Sequence, residues 1–283
     1  MEDEVTPPEP ESNPQELLNL DDEAALASGA PEVTREGDEV VIDLRELAPT
    51  GRKIAPGHRR SGRPPDLLPQ HRMEVISGGE RWSEAERFVY EVYVELGYTA
   101  ASSRQQVEEL AEYIDCSRFH AVVDDDNQIL GTTRAIFGTF EELPVGKFTR
   151  VNFEDEGPMC ELSSIVVDPR VRSRGIIEHL YREGWADATR GGARAITGVG
   201  ERWLLDAFRD TYAMPFIPVG VPKWYMGGQV IPMIMANGLE THTEVASNNP
   251  GYWYWNIETL SEAEVDRFGF RDLVTNRPAA VQK

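Results

Sequence analysis

The spacing of apolar positions changes along the chain and divides it into elements. In "HRMEVISG" (71–78) they alternate weakly, as in a strand with one buried face. Phe88, Val89, Val92 and Leu96 then recur at helical spacing, Gly97 stops the helix, and "SEAE" (83–86) reads as its capping box. "SRQQ" (103–106) opens a second short helix carrying Val107, Leu110, Ala111 and Ile114. "FHAVV" (119–123) and "QILGTTRAIF" (128–137) are strands joined as a hairpin by "DDDN". "CELSSIVV" (160–167) is a strand, and "IIEHLYREGWADATR" (176–190) a helix closed by Gly191-Gly192. "ARAITGV" (193–199) is a strand and "ERWLLDAFRDTY" (201–212) a helix. "FIPVG" (216–220), "KWYM" (223–226) and "QVIPMIMA" (229–236) complete the sheet, the last two joined at Gly227-Gly228. Strand–helix–strand in the middle implies parallel neighbours, and the hairpins imply antiparallel ones. The expected fold is α/β: a mixed, mostly antiparallel sheet with a central parallel strand pair and helices on both faces. "SEAEVDRFGF" (261–270) reads as a final short capped helix.

Charge separates the N-terminal part from this pattern. Residues 1–50 carry a net charge of -13 out of -21, and the first aromatic residue is Trp82. A segment so charged and so poor in large apolar groups cannot offset its ordering entropy, so 1–68 is expected to be a largely disordered acidic arm. "GDEVVIDLREL" (37–47) has enough apolar residues for a docking strand or helix, with an unstructured state as the expectation. The basic patch "GRKIAPGHRRSGRPP" (51–65) reads as a solvated linker. The domain plan is then an arm (1–68), a folded domain (69–240) and a C-terminal extension packed on it (241–283). The acidity argues against a nucleic-acid partner. No apolar run approaches the roughly 20 residues of a membrane span, and no apolar signal core follows the N-terminus. Two cysteines, Cys116 and Cys160, fit a reducing cytoplasm, and the five histidines lack metal-ligand spacing, so no metal is expected.

The densest chemistry lies in "VVDPRVRSRGII" (166–177). A strand ends at Asp168-Pro169, Arg170, Arg172 and Arg174 follow, and Gly175 opens a helix. Orphan N–H groups at a helix start attract anions, and arginines there add charge-assisted donors. A pyrophosphate, as in coenzyme A or a phosphopantetheine arm, suits the loop; a solvated basic loop is the alternative.

This segment resembles the acyl-coenzyme A loop of the GNAT acyltransferase superfamily, whose pattern is Arg/Gln-x-x-Gly-x-Gly/Ala. Arg172, Gly175 and Ile177 fall on it, with Ile177 in place of the small residue. "RFVYEVYVELGY" (87–98), "EYIDCSRFHAVV" (112–123), "GTTRAI" (131–136) and "CELSSIVVDP" (160–169) resemble, in order, segments of acyl-homoserine-lactone synthases and N-acyl amino acid synthases. The resemblance spans roughly 71–236 and implies a GNAT-like domain. It implies a donor site at Val166, Val167, Arg172, Arg174, Gly175 and Ile176. It implies catalytic roles for Glu161 as base and Tyr212 near the sulfur, and substrate contacts from Glu112, Asp115, Arg134 and Ser163. Ser164 stands where the lactone synthases usually carry arginine.

The expected activity is acyl transfer from an acyl-CoA or acyl carrier protein thioester to the amine of a small molecule, such as an amino acid. An autoinducer synthase is the runner-up, and a silent acyl-ligand or protein-binding domain the third reading. Glu161 is either that base or a structural partner of Arg134 or another cation. Strand alternation sets Glu161, Ser163 and Ile165 on one face. Four aromatics in "GYWYWNI" (251–257) are expected to pack plainly, with an acyl-pocket wall or an edge cover as alternatives.

Overall fold

The computed structural model describes residues 33–36, 39–42, 62–151, 157–172 and 174–276. The chain divides into two compact units, Met1–Gly51 and Arg52–Lys283. In the first, β1 (Val33–Glu36) pairs antiparallel with β2 (Glu39–Ile42), Val33 opposite Ile42. The segment 37–47 therefore contributes a strand, because the preceding "VTRE" supplies its partner. The rest of the expected arm up to residue 61 lies outside the described residues.

The second unit is built on one sheet. Its strands are β3 (Arg72–Ile76), β4 (Ser117–Val123), β5 (Ile129–Gly138), β6 (Met159–Val167), β7 (Ala195–Gly200), β8 (Ile217–Pro218), β9 (Lys223–Tyr225) and β10 (Gly228–Ala236). They lie in the order β3-β4-β5-β6-β7-β10-β8, with β9 also on β10. Among the described residues β6 and β7 are the parallel pair, and the other neighbours run antiparallel. The β4–β5 turn is held by Asp124, whose Oδ1 accepts from the backbone N–H of Asp126 and Gln128 at 3.0 and 2.8 Å.

Seven helices are described: α1 (Gly79–Leu96), α2 (Ile176–Arg190), α3 (Arg202–Tyr212), α4 (Leu239–Asn248), α5 (Pro250–Ile257), α6 (Glu262–Arg267) and α7 (Arg271–Thr275). On one face of the sheet Trp82, Ala85, Val89 and Val92 of α1 pack with Phe119, Ile136, Met159 and Val166. On the other, Tyr181, Trp185, Leu205 and Phe208 of α2 and α3 pack with Ala135, Cys160, Ile196 and Met233. Val245, Trp253, Tyr254, Val265 and Phe270 of the C-terminal helices join this second core.

Two expectations about helices need correction. α1 starts four residues before the expected capping box, with Gly78 at its N-cap, so Ser83 and Glu86 lie inside it. Buried Trp82 extends the apolar stripe backwards, and the Gly78-Gly79 break after β3 sets the start. The helix expected from Ser103 is instead a 3-10 helix, Glu108–Tyr113. Val107, Leu110 and Tyr113 are buried at a spacing of three, whereas Ile114 is 42% exposed, so the tighter helix suits the burial. The final capped helix is present as α6, where Ser261 and Glu264 form a reciprocal capping box.

Residues 62–68 lie against this second unit. Pro64 is buried and Leu67 packs beside Ile176 and Leu180. The Pro65 carbonyl meets His179 Nε2 at 3.0 Å, and Arg63 pairs with Glu258 at 2.7 Å.

Candidate active site

β6 and β7 are paired only at Met159–Glu161 against Ala195–Thr197. Beyond Glu161 they part, leaving the β7-facing edge of Leu162–Val167 without a strand partner. A groove of about 650 Å³ runs along that edge. Its walls are the C-terminal half of α1 (Tyr93, Leu96), the start of α2, and α3 (Leu204, Tyr212). At one end Met226 and Gly227, in the tight turn between β9 and β10, meet the end of α1. Gly227 has φ +73°, and a Cβ there would lie 2.1 Å from the Gly97 carbonyl oxygen, so only glycine closes the groove at this point.

β6 does not alternate regularly. Thr132 of β5 pairs with Val166 and Arg134 with Ser163, so β6 carries an extra residue between them. Ser164 takes it up with φ +48°, in the left-handed region, and its carbonyl accepts from Thr132 Oγ1 at 3.1 Å. The bulge corrects the expected alternation: Ile165 packs with Leu162 in the core under α2, while Val166 joins the core under α1. Buried Ser164 faces the phenol of Tyr93, whose pKa burial raises to about 12.

Glu161 sits where the two strands separate and is 2% exposed. Burial pushes its carboxyl up to about 8, against the opposing pull of the Val145 N–H, which donates to Oε2 at 2.7 Å, and the more distant charge of Lys147. Among the described residues it forms no ion pair. Arg134 is not its partner: that guanidinium is 1% exposed, stacked 5.0 Å from the Trp82 ring and 5.4 Å from Phe119, and donates to Ser117 Oγ at 2.9 Å. Burial lowers its pKa to about 10.

At the other end lies the arginine loop. A 3-10 turn (Pro169–Val171) is capped by Asp168, which accepts from the Arg170 N–H at 2.8 Å and holds the Arg170 side chain at 3.0 Å. This pairing keeps the Asp168 carboxyl below its usual range. Arg172 and Gly175 line the groove, and Gly175, with φ +80°, is the N-cap of α2. The left-handed glycine lets the chain turn into the helix with its first N–H groups beside the groove.

The groove thus gathers Glu161, Ser163, Val166, Val167, Arg172, Gly175, Ile176 and Tyr212 from the expected site. Tyr212 approaches Glu178 Oε1 at 3.5 Å and stacks near Tyr181 and Tyr252. Four expected residues are not among its walls. Arg174 is exposed on the loop, Arg134 is buried among aromatic rings, and Asp115 is exposed on the outer surface. Glu112 is bound by Lys147 at 2.7 Å, which lowers its pKa. Two wall residues escaped the sequence reading. Tyr93 sits at helical spacing among core residues, and Tyr225 belongs to a short strand; its hydroxyl is buried and its pKa is raised to about 12 by that burial.

The model of the acetyltransferase (GNAT) family matches residues 83–202. They run from α1 through the arginine loop to the first residue of α3. No curated protein matches the chain. The solved structure of BjaI, a CoA-dependent acyl-homoserine lactone synthase with SAM and isopentyl-CoA, is similar with TM-score 0.50 and 13% identity, covering 64% of this chain and 90% of that one. TofI, in a ternary complex with an inhibitor and MTA, is similar with TM-score 0.48 and 18% identity, covering 62% and 96%. FeeM, an N-acyl amino acid synthase from uncultured soil microbes, is similar with TM-score 0.48 and 13% identity, covering 62% and 96%. At these identities the likeness is one of fold. No helix among the described residues is long and apolar enough to cross a membrane.

Proposed function

We propose that the chain is an N-acyltransferase, moving an acyl group from a coenzyme A or acyl carrier protein thioester to the amine of a small molecule such as an amino acid. The observation that carries this reading is the buried Glu161 at the parting of β6 and β7, in one groove with Arg172 and Gly175. The donor's phosphates sit on Arg172 and the first N–H groups of α2. Its pantetheine arm follows the unpaired edge of β6, which brings the thioester to the splay. Glu161 takes a proton from the acceptor's ammonium. The amine nitrogen bonds to the thioester carbon and the C–S bond breaks; the Tyr212 phenol gives its proton to the leaving thiolate and regains one from the second proton that the nitrogen sheds as it becomes the amide. Backbone N–H groups on the free edge of β6 receive the oxyanion.

Glu161 accepts a proton only when ionised. With its pKa near 8, kcat/KM rises with pH through that region. Glu161→Gln keeps the Val145 contact and removes the basicity. Turnover is expected to fall about 10²–10⁴-fold while thioester affinity holds, with partial recovery at high pH where the amine deprotonates unaided. Turnover on a panel of amines, read by mass spectrometry of the amide product, tests this. Full activity in Glu161→Gln removes the residue from the proton path, and no amide from any amine removes the reading itself.

A further inference from the structure

A second, smaller cavity lies on the α2 side of the sheet. Its volume is 60 Å³. Leu162, Ile165, Tyr181, Val199 and Leu204 line both it and the large groove, so the two spaces share a wall at the splay of β6 and β7. The remaining walls are largely apolar, among them Phe208, Phe216 and Met233. α5 supplies part of the far side through Tyr252, Trp253 and Asn256, and α2 supplies Trp185. At about 15 Å³ for each water-sized group, the space takes roughly four non-hydrogen atoms.

Most polar groups in this wall are engaged. Thr197 Oγ1 donates to the Met233 carbonyl at 2.8 Å. His242 meets Asn237 Oδ1 through Nε2 at 2.9 Å and accepts from Trp253 Nε1 through Nδ1 at 3.4 Å. Burial holds its pKa down to about 4, so it is neutral and brings no charge to the cavity.

Three buried atoms have no hydrogen-bond partner: Trp185 Nε1, a donor, Asn256 Oδ1, an acceptor, and the Tyr252 hydroxyl, which can be either; Trp185 and Asn256 are 8% exposed. The other end of the Asn256 amide bonds the Tyr252 carbonyl at 3.0 Å. Because a carbonyl only accepts, that end is the nitrogen, and the free end is the oxygen. A buried donor and a buried acceptor left unpaired are each costly, and both line one dead-end space beside the thioester path.

We infer that this cavity is the tail pocket for the acyl donor and that it selects a short acyl group bearing a hydroxyl at its far end. The inference rests on the acyltransferase reading above. A hydroxyl donates to Asn256 Oδ1 and accepts from the Trp185 N–H, while the methylenes before it lie against Leu162, Ile165 and Val199. A plain chain of equal length fills the same space and leaves both atoms unpaired, the circumstance in which a site discriminates against an analogue that lacks the polar group. Asn256 lies outside the segment matched by the GNAT family, 83–202, so the selectivity belongs to this chain's own C-terminal helices.

The test is calorimetry on the full chain with 4-hydroxybutanoyl-CoA and 5-hydroxypentanoyl-CoA against butanoyl-CoA and pentanoyl-CoA. At least one hydroxylated thioester is expected to bind about tenfold or more tighter than its plain counterpart. That preference is expected to vanish in Asn256→Leu and to shrink in Trp185→Phe, which keeps an aromatic ring in the wall should the first variant fold poorly. Equal or tighter binding of the plain thioesters overturns the hydroxyl pocket and leaves the acyltransferase reading standing. Binding of none of the four overturns the short-acyl pocket, and the acyltransferase reading is then decided by the amine panel.

Discussion

At the scale of single residues, Glu161 and Arg134 are both ionisable groups almost without solvent, and they differ in what surrounds them. Glu161 has one backbone N–H and a groove. Its carboxyl titrates near 8 when folded, against 4.5 otherwise, so the folded protein keeps a proton that the unfolded chain gives up between those values. The stabilisation is complete below about pH 4.5 and is lost as pH rises to about 8, by an amount on the order of a few kcal/mol. Glu161→Gln lacks this dependence. Thermal melts at pH 5 and pH 9 should find the variant at least as stable as the parent at pH 9, with the parent gaining relative to it at pH 5. A variant that melts well below the parent at pH 9 contradicts a carboxyl burdened by its burial. Arg134 stands between two aromatic rings and gives one hydrogen bond to Ser117. Arg134→Ala leaves a hole beside Trp82 and Phe119, and a loss of about 3 kcal/mol in denaturant unfolding is expected. A variant of parental stability that binds acceptor poorly assigns Arg134 to the substrate instead.

Among elements, the arginine loop and β6 decide where the chemistry sits, and they were unequally legible. α2 was read to the residue, because Gly175 and Gly191 bracket an unbroken apolar periodicity. The loop's arginines were also visible, but not their division of labour. Asp168 holds Arg170, Arg172 faces the groove, and Arg174 does not line it. Arg172→Ala is therefore expected to weaken thioester binding about tenfold or more, and Arg174→Ala distinctly less, by calorimetry. Equal losses return the loop to a diffuse positive field. The bulge in β6 was hidden, since Ser164 carries no glycine-like signal and pattern reading assumes strict alternation. That one extra residue keeps Ile165 beside Leu162, and so builds the shared wall between groove and cavity. The aromatic run at 251–257 was legible as buried, yet its place at the cavity follows from the packing of α5 against α2 and the sheet, which no local spacing encodes.

For the whole molecule, the question is where the folded unit begins. Charge and aromatic content suggested residue 69, yet the contacts run back to residue 62. Pro64 is buried, Arg63 reaches Glu258, and Pro65 meets both His179 and the loop glycine, where a Cβ on Gly175 would lie 2.7 Å from Pro65 Cγ. A Cβ on Gly251 would lie 2.9 Å from the backbone of Gly62, so this strap touches the starts of α2 and α5 together. We propose that residues 62–68 brace the donor loop from outside the groove. A chain shortened to begin at Arg52 keeps the strap and loses most of the acidic charge, and it is expected to melt within a few degrees of the parent. A chain beginning at Pro69 loses the buried proline, the half-buried Leu67 and the bond to His179, together about 2–3 kcal/mol, which in a domain of this size lowers the Tm by roughly 4–12 °C. Because Pro65 backs Gly175, the shorter chain should also bind acyl-CoA more weakly, whereas the chain beginning at Arg52 should not. Scanning calorimetry and titration of the two shortened chains separate the cases. If both melt and bind alike, the strap is surface decoration and the boundary returns to residue 69; if only the shorter one loses donor affinity, the segment just after the acidic arm is part of the site's scaffold.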